Sequence, residues 1–322
     1  MKNSKSDKKL FVDSLNTYFS KYGIIVVFIL MVIILSVITD SFFTVGNALN
    51  VLRQVSTNGM LAVGMTLVII TGGIDLSIGS IFALTSVVST MIAHPEPQYP
   101  VILIILLGMG VGGLVGLING SIVAFSKVTP FIVTLGMTTI ARGLTLTISN
   151  GRAIINLSKE FTNLGQGMLF NIPIPIYFLF AIVILGFALL HKTKFGRYVY
   201  AIGGNELAAK VSGVNIPLIK VSVYTIMGAI CGLAGVILAA RTNAGSPNAG
   251  TGYELNAIAA VVIGGTRLSG GKGTILGSII GSLIMGILGN GLDILNVSSY
   301  IQQIVTGVII IGSVWIDQAN TK

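Results

Sequence analysis

Runs of about 17–25 apolar residues recur along the whole chain, the length that a helix needs to cross a bilayer core about 30 Å thick. A transmembrane barrel would need alternating segments of roughly ten residues, and these runs do not alternate. Only 9% of the 322 residues are charged, and the mean hydropathy is +0.93. A soluble domain carries about a quarter charged residues, so most of this surface faces something other than water. The sequence therefore predicts an all-α, polytopic membrane protein embedded in a lipid bilayer.

Between turn signals the runs give ten spans, near 23–39, 52–71, 76–93, 100–124, 130–148, 173–190, 219–241, 253–266, 274–292 and 297–315. Residues 1–22 are expected to form a cytoplasmic tail, 23–316 a transmembrane domain with a long loop at 191–220, and 317–322 a second tail. With the N-terminus inside, the cytoplasmic segments hold 14 of the 19 Lys and Arg residues, as the positive-inside bias requires. Both termini are thus placed in the cytoplasm. Aromatics at the run edges agree: Tyr18, Phe19 and Tyr22 before the first span, Tyr198 and Tyr200 after the sixth, Trp315 at the last. A cleaved signal peptide would end in small residues. Asp40-Ser-Phe-Phe follows the first run instead, so that run reads as a retained span. The net charge of +9 reflects the same bias, and no nucleic-acid partner is expected, because no basic stretch tracks a phosphate backbone.

Two spans carry glycine every four residues, Gly108–Gly112–Gly116–Gly120 and Gly273–Gly277–Gly281. Residues four apart share a helix face, and small residues there let neighbouring backbones approach. The lone Cys231 reads as a packing residue. Gly72–Gly79 can be laid on Gly264–Gly271 as a weak internal repeat; on this span count both hairpins lie inside and the relation is parallel, while a shift of one span makes it inverted. Nucleotide loops are not found. Gly108–Gly113 fits G-x-G-x-x-G but sits mid-span with no preceding strand, and Gly271-Lys272 lacks both the upstream glycine and the following Ser or Thr. His94 and His191 fall in loops on opposite sides, and no cluster has metal spacing. No metal site, catalytic residue or cofactor is therefore expected in this chain, and any ATP and Mg would be used by a partner.

Asp75, in TGGIDLSIGS, is the odd residue in a chain so poor in charge. Thr71-Gly72-Gly73 looks like a helix end with glycine in the left-handed conformation, which leaves Asp75 to cap the next span. A carboxylate within a membrane is also a candidate for function, so contact with a substrate or gate is the second reading. Polar residues in or at the ends of spans mark a possible pathway or hinge: Gln54, Thr57 and Asn58 in the second, Gly73, Asp75 and Ser77 around the hairpin, Asn119 in the fourth, Thr134, Thr138 and Thr145 in the fifth, and Tyr253, Glu254 and Asn256 in the eighth. These are mostly neutral hydrogen-bonding groups, suited to hydroxyls rather than ions. Hydrogen bonding between helices explains each of them equally well.

The loop 191–220 contains Asn205, able to cap a short helix over Glu206–Ser212, with Gly213 as its stop and Pro217 beyond. Two turns are not stable alone, so this helix is expected to lean on a partner or on the bundle.

GGNELAAKVSGV (Gly203–Val214) resembles the cytoplasmic coupling segment of permease subunits in ATP-binding-cassette importers of the monosaccharide group. TGGIDLSIGS (Thr71–Ser80), TLGMTTIARG (Thr134–Gly143), AGTGYELNAIAAVVIGGTRLSGGKG (Ala249–Gly273) and VSSYIQQIV (Val297–Val305) resemble that group too, and the likeness runs from about Asp40 to Asp317. It implies a bacterial inner-membrane permease that imports ribose or a related monosaccharide, an ATPase subunit on the cytoplasmic side, an extracytoplasmic sugar-binding protein, and a second permease chain making a homodimer. The residues implied in coupling are Gly204, Asn205, Glu206, Ala208, Ala209, Ser212 and Gly213. The chain departs from the wider importer pattern, since Leu207 separates Glu206 from Ala208 and the tail is Asn215-Ile216-Pro217. The alternative from another class is a proton- or sodium-coupled secondary carrier, which requires carboxylates buried at the midplane.

Overall fold

The computed structural model describes residues 24–319. The expected tail 1–22, with its lysines and the aromatics Tyr18, Phe19 and Tyr22, lies outside the described residues, as do 320–322. The described chain is helical almost throughout. In order come α1 (Ile24–Ile38), α2 (Val45–Ile70), α3 (Ile78–Thr90), α4 (Val101–Phe125), α5 (Pro130–Ser149) and α6 (Lys159–Gln166). A two-residue hairpin follows, β1 (Met168–Leu169) with β2 (Ile172–Pro173), antiparallel. Then come α7 (Ile174–Lys192), α8 (Lys194–Gly204), α9 (Glu206–Val211), α10 (Ile216–Thr242), α11 (Tyr253–Ile263), α12 (Ile275–Ile294) and α13 (Ser299–Ala319).

Each of the ten apolar runs corresponds to a helix, with informative differences at the ends. α2 begins at Val45 rather than near 52, because the Thr44 hydroxyl accepts the Asn47 N–H and caps it. Its first turns are polar and were hidden from a hydropathy reading. Asn47 is matched by Asn290 of α12, the two amides exchanging hydrogen bonds at 2.9 Å. α4, α5, α7, α10 and α12 are long and apolar enough to cross a membrane unaided. The 13-residue α3 and the 11-residue α11 are not. At 1.5 Å per residue they reach about 20 and 16 Å, roughly two thirds and one half of a bilayer core. Non-helical chain, 73–77 before α3 and 244–252 before α11, adjoins each of them.

α2 forms the centre of the bundle and is buried almost continuously from Val55 to Ile70. α10, α12, α7 and α11 surround it. α4 lies antiparallel along α10 on the expected glycine face: Gly108 meets Gly232, Gly112 meets Gly228, and Gly120 meets Val221. A Cβ at Gly112 would collide with the Gly228 carbonyl, and one at Gly228 with the Gly112 carbonyl. Lipid tails are as apolar as leucine, so this close contact, rather than hydrophobic exclusion, holds the pair together. The second glycine face is used likewise, Gly277 and Gly281 against Gly264 and Ala260 of the α11 end. Cys231 is buried in this packing. Outward-facing Ile102, Leu106, Ile184, Leu185, Ile304 and Ile311 present an apolar surface suited to lipid.

Candidate functional site

Two long helices are each followed by non-helical chain and a half-length helix. α2 ends at Thr71; Gly72 turns at φ +77°, where a side chain would be strained, and the Gly73 N–H closes the turn on the Val68 carbonyl at 3.1 Å. Residues 73–77 then run to α3 without helix or strand structure. In the other half, Asn243 ends α10 in the left-handed conformation and residues 244–252 lead to α11. The N-termini of α3 and α11 meet. The Glu254 carboxylate and the Gly250 carbonyl fill the place a Cβ on Gly79 would take, and the Phe82 and Tyr253 rings lie 5.1 Å apart between centroids. From this meeting point α3 runs back along 245–250 until Thr90 reaches Gly245. The hairpin that follows α11 returns to the end of α2, where the Gly271 N–H bonds to the Ile70 carbonyl at 2.9 Å.

Non-helical chain inside a membrane protein leaves carbonyls that must be satisfied from neighbouring elements. α5 does this with one face. Thr134, Thr138 and Arg142, four residues apart, bring donors to the carbonyls of Ile74 (3.4 Å), Leu76 (3.0 Å) and Gly79 (3.5 Å), the two threonine hydroxyls sharing their protons with the Pro130 and Thr134 carbonyls of their own helix at 2.9 and 2.8 Å. The Arg142 guanidinium also donates to Pro247 and Ala249, the latter at 3.1 Å. One side chain thereby ties the two broken segments to each other. Thr134 and Thr138 had been noted in the sequence; Arg142, the residue that joins both halves, had not, because one arginine within a span shows no partner until the segments 74–79 and 247–249 are brought together.

Asp75 is fully buried. Its Oδ1 accepts from the Ser77 N–H at 2.9 Å and from the Ser77 hydroxyl. The expected N-cap assignment is corrected: Ser77 occupies the cap position of α3, and Asp75 forms the turn one step before it. Asn119 of α4 donates to the Ser77 hydroxyl at 2.8 Å, and the buried Tyr224 hydroxyl donates to Ile74 at 3.3 Å while standing over Gly73. Gly73, Asp75, Ser77 and Asn119 are thus one cluster that fixes the path of the break.

Between α5 and the opposed helix starts is an open cavity of about 470 Å³, with the exposed Thr139, Leu146 and Thr251 at its mouth. Ser80, Thr138, Thr139, Arg142, Thr251 and Glu254 supply its polar lining. Of the expected pathway residues, Thr138 and Glu254 reach it. Gln54, Asn58 and Asn256 do not line it: Gln54 is exposed, while Thr57 turns back to the Gln54 carbonyl. Ser80, Thr139 and Thr251 were missed, since small hydroxyl residues on an apolar helix carry no signal of their own.

The expected coupling segment forms at one end of the bundle. Asn205 caps α9 by accepting the Ala208 N–H at 2.9 Å, and Gly213 stops it at φ +84°. Ala209 is buried, Ser212 bonds back to the Ala208 carbonyl, and Glu206 is paired with Lys220 of α10 at 2.9 Å. Leu207 and Val211 stand out, 77% and 90% exposed. The preceding α8 was not expected. It brings Gly203 so close to the Ile70 carbonyl and the Gly271 N–H that a Cβ there has no room, and the Tyr200 hydroxyl donates to Gly273 at 2.7 Å. Gly204 and Gly271 adjoin as well. The two hairpins of the weak repeat are therefore neighbours at this end of the bundle. Their turns match one residue out of the expected register, Gly72 corresponding to Gly265 (φ +83°).

A family model described as the permease component of branched-chain amino acid transport systems matches residues 47–314. The ribose import permease protein of Bacillus subtilis (strain 168) is 47% identical over 297 residues, 91% of this chain and 91% of the relative. That of Escherichia coli (strain K12) is 43% identical over 297 residues, 91% of this chain and 92% of the relative. The D-allose transport system permease protein of Escherichia coli (strain K12) is 37% identical over 325 residues, 100% of this chain and 98% of the relative. No solved structure matches.

Proposed function

The chain belongs to the family of transport-system permease components that its residues 47–314 match, and on that premise we propose that it is the membrane-spanning subunit of an ATP-driven importer that carries ribose or a related monosaccharide into the cytoplasm of a bacterium. It is a transport subunit rather than an enzyme. An ATPase subunit binds at the end where α9 projects, and a substrate-binding protein delivers sugar at the other. ATP and Mg are used by that ATPase alone, and a second copy of this chain completes the pathway as a homodimer.

The observation that carries the reading is the placement of α9. A capped two-turn helix with Leu207 and Val211 exposed is not an autonomous element and suits a surface met by another chain. Through Gly203 and Tyr200 of the adjoining α8 it is linked to the end of α2 and to the 264–273 hairpin, the turn at which the first broken crossing starts and the turn at which the second one ends. Motion of α9 therefore reaches the cavity through backbone contacts rather than through long flexible side chains. Alternating access follows: ATPase closure displaces α9, the hairpins move with it, and the helix starts at the cavity change their spacing.

Labelled ribose uptake in cells with and without the chain tests this. Uptake lost on ATP depletion and surviving a protonophore is expected. Uptake abolished by a protonophore at constant ATP would identify a proton-coupled carrier, with Glu254 the carboxylate in question.

A further inference from the structure

The cavity between α5 and the opposed starts of α3 and α11 has features that neither packing nor the hinge requires. Ser80 is 1% exposed, and its hydroxyl has no hydrogen-bond partner among the described residues. It lies in the first turn of α3, on the cavity wall. A buried hydroxyl without a partner costs free energy, and of the buried side-chain atoms left without one among the described residues only that of Ser80 belongs to a residue of the cavity wall, where an entering ligand can supply the missing partner. Glu254, in the first turn of α11, lines the same cavity, and no cation lies within ion-pair distance of it among the described residues. The one guanidinium nearby, Arg142, is engaged with the carbonyls of Gly79, Pro247 and Ala249.

These groups select a class of ligand. One carboxylate and one guanidinium leave the cavity without a net charge, so it suits a neutral solute. A carboxylate is an acceptor with two oxygens, able to take hydroxyls from adjacent carbons, while serine and threonine hydroxyls both donate and accept. The volume of about 470 Å³ falls in the range of small-molecule sites. Half-helices whose N-termini converge near the bilayer midplane are also a recurring way to build a transport site. We propose that this cavity is a transit site for one sugar molecule, at which Glu254 accepts two neighbouring sugar hydroxyls and Ser80 donates to a third oxygen, while Arg142 acts as the positioning residue that holds the two helix starts at the spacing the sugar requires. A transit site must release what it takes, which agrees with a lining of neutral hydroxyls that holds a single carboxylate. The assignment rests on the sugar-importer reading above.

The test uses the permease assembled with its ATPase and binding protein in proteoliposomes. Uptake of ribose and of 2-deoxyribose is measured for the unaltered chain, Glu254→Gln and Ser80→Ala, with ATP hydrolysis followed in parallel. The binding protein is the same throughout, so any change in the ratio between the two sugars arises in the permease. A site built to receive a hydroxyl rejects the analogue that lacks it, and loses that preference when its own group is removed. The expected result is a drop in ribose uptake of about tenfold for Glu254→Gln, a fall of at least threefold in the ribose to 2-deoxyribose ratio, and unchanged ATP hydrolysis. Ser80→Ala, a smaller change at a position with no partner to lose, is expected to lower ribose uptake severalfold with normal assembly. Both variants lowering uptake of the two sugars by one common factor, or not at all, would overturn the site while leaving the importer reading intact. If the unaltered complex moved neither sugar in an ATP-dependent way, the importer reading would fail and the site with it.

Discussion

The Asn119 amide donates to the Ser77 hydroxyl at 2.8 Å, joining the C-terminal part of the apolar α4 to the unwound backbone between α2 and α3. Ser77 passes the link on to Asp75. The charge that seemed out of place in the sequence is the inner end of a three-residue chain. It fixes the break, and it lies beside the cavity rather than in it.

Asp75→Ala should therefore act on stability at least as strongly as on transport. It removes the acceptor of the Ser77 N–H in a buried turn, a loss of about 1–3 kcal/mol. Thermal unfolding of the purified protein in detergent should show a midpoint several degrees lower. Asp75→Asn keeps the Oδ1 acceptor and should recover most of that loss. Inactive Asp75→Ala protein with an unchanged midpoint would place the carboxylate in the pathway instead.

The α4–α10 contact makes a sharper prediction because the same helix carries its own control. Gly112→Val would drive a side chain into the Gly228 carbonyl, whereas a Cβ on Gly110 meets nothing within 4 Å. Overpacking a tight contact costs about 1–3 kcal/mol and more where only backbone can yield. Gly112→Val should fail to accumulate in membranes, and Gly110→Val should accumulate normally. Equal levels of the two would mean that the glycine face does not hold these helices together.

How much of this was legible in the sequence follows from what each signal depends on. The ten runs, the glycine faces and the Asn205 cap are local patterns, and each corresponds to a feature of the structure, though the ends of several runs differ. α3 and α11 were read as whole crossings because composition does not record where apolar chain stops being helical; the 73–77 and 244–252 breaks are stabilised by α5, remote in sequence. α8 escaped notice because its residues, KFGRYVYAIGG, are too polar for a span and its partners are hairpins that lie far along the chain. Arg142 is the clearest case. Its role exists only once the two breaks lie on either side of it.

Tyr200 offers a pH test outside the spans. Burial raises its phenol above the usual tyrosine value, which keeps it a donor to Gly273. A group whose folded value is raised stabilises fully below its unfolded value, near pH 10, and loses that contribution as pH climbs through the folded value. Unfolding midpoints should therefore decline faster above about pH 10 for the unaltered chain than for Tyr200→Phe. Parallel alkaline profiles would show that the phenol contributes nothing to the joint between α8 and the hairpin.

The coupling surface can be separated from the pair that holds it. Glu206→Arg should abolish uptake while membrane insertion stays normal, but that result alone has two causes, since Glu206 both borders the exposed face of α9 and pairs with Lys220 at 2.9 Å. An exposed ion pair contributes about 0–1 kcal/mol, so loss of the pair by itself should leave the helix folded. Glu206→Lys combined with Lys220→Glu restores the pair with its charges exchanged. Uptake recovered in the exchange would assign Glu206 to holding α9 against α10. Uptake still absent, together with loss of ATPase capture in Val211→Asp, would assign it to contact with the partner. The second outcome is expected, because the 90% exposed Val211 makes almost no contact within its own chain, and an apolar side chain left so bare beside Leu207 is accounted for by a surface that covers both.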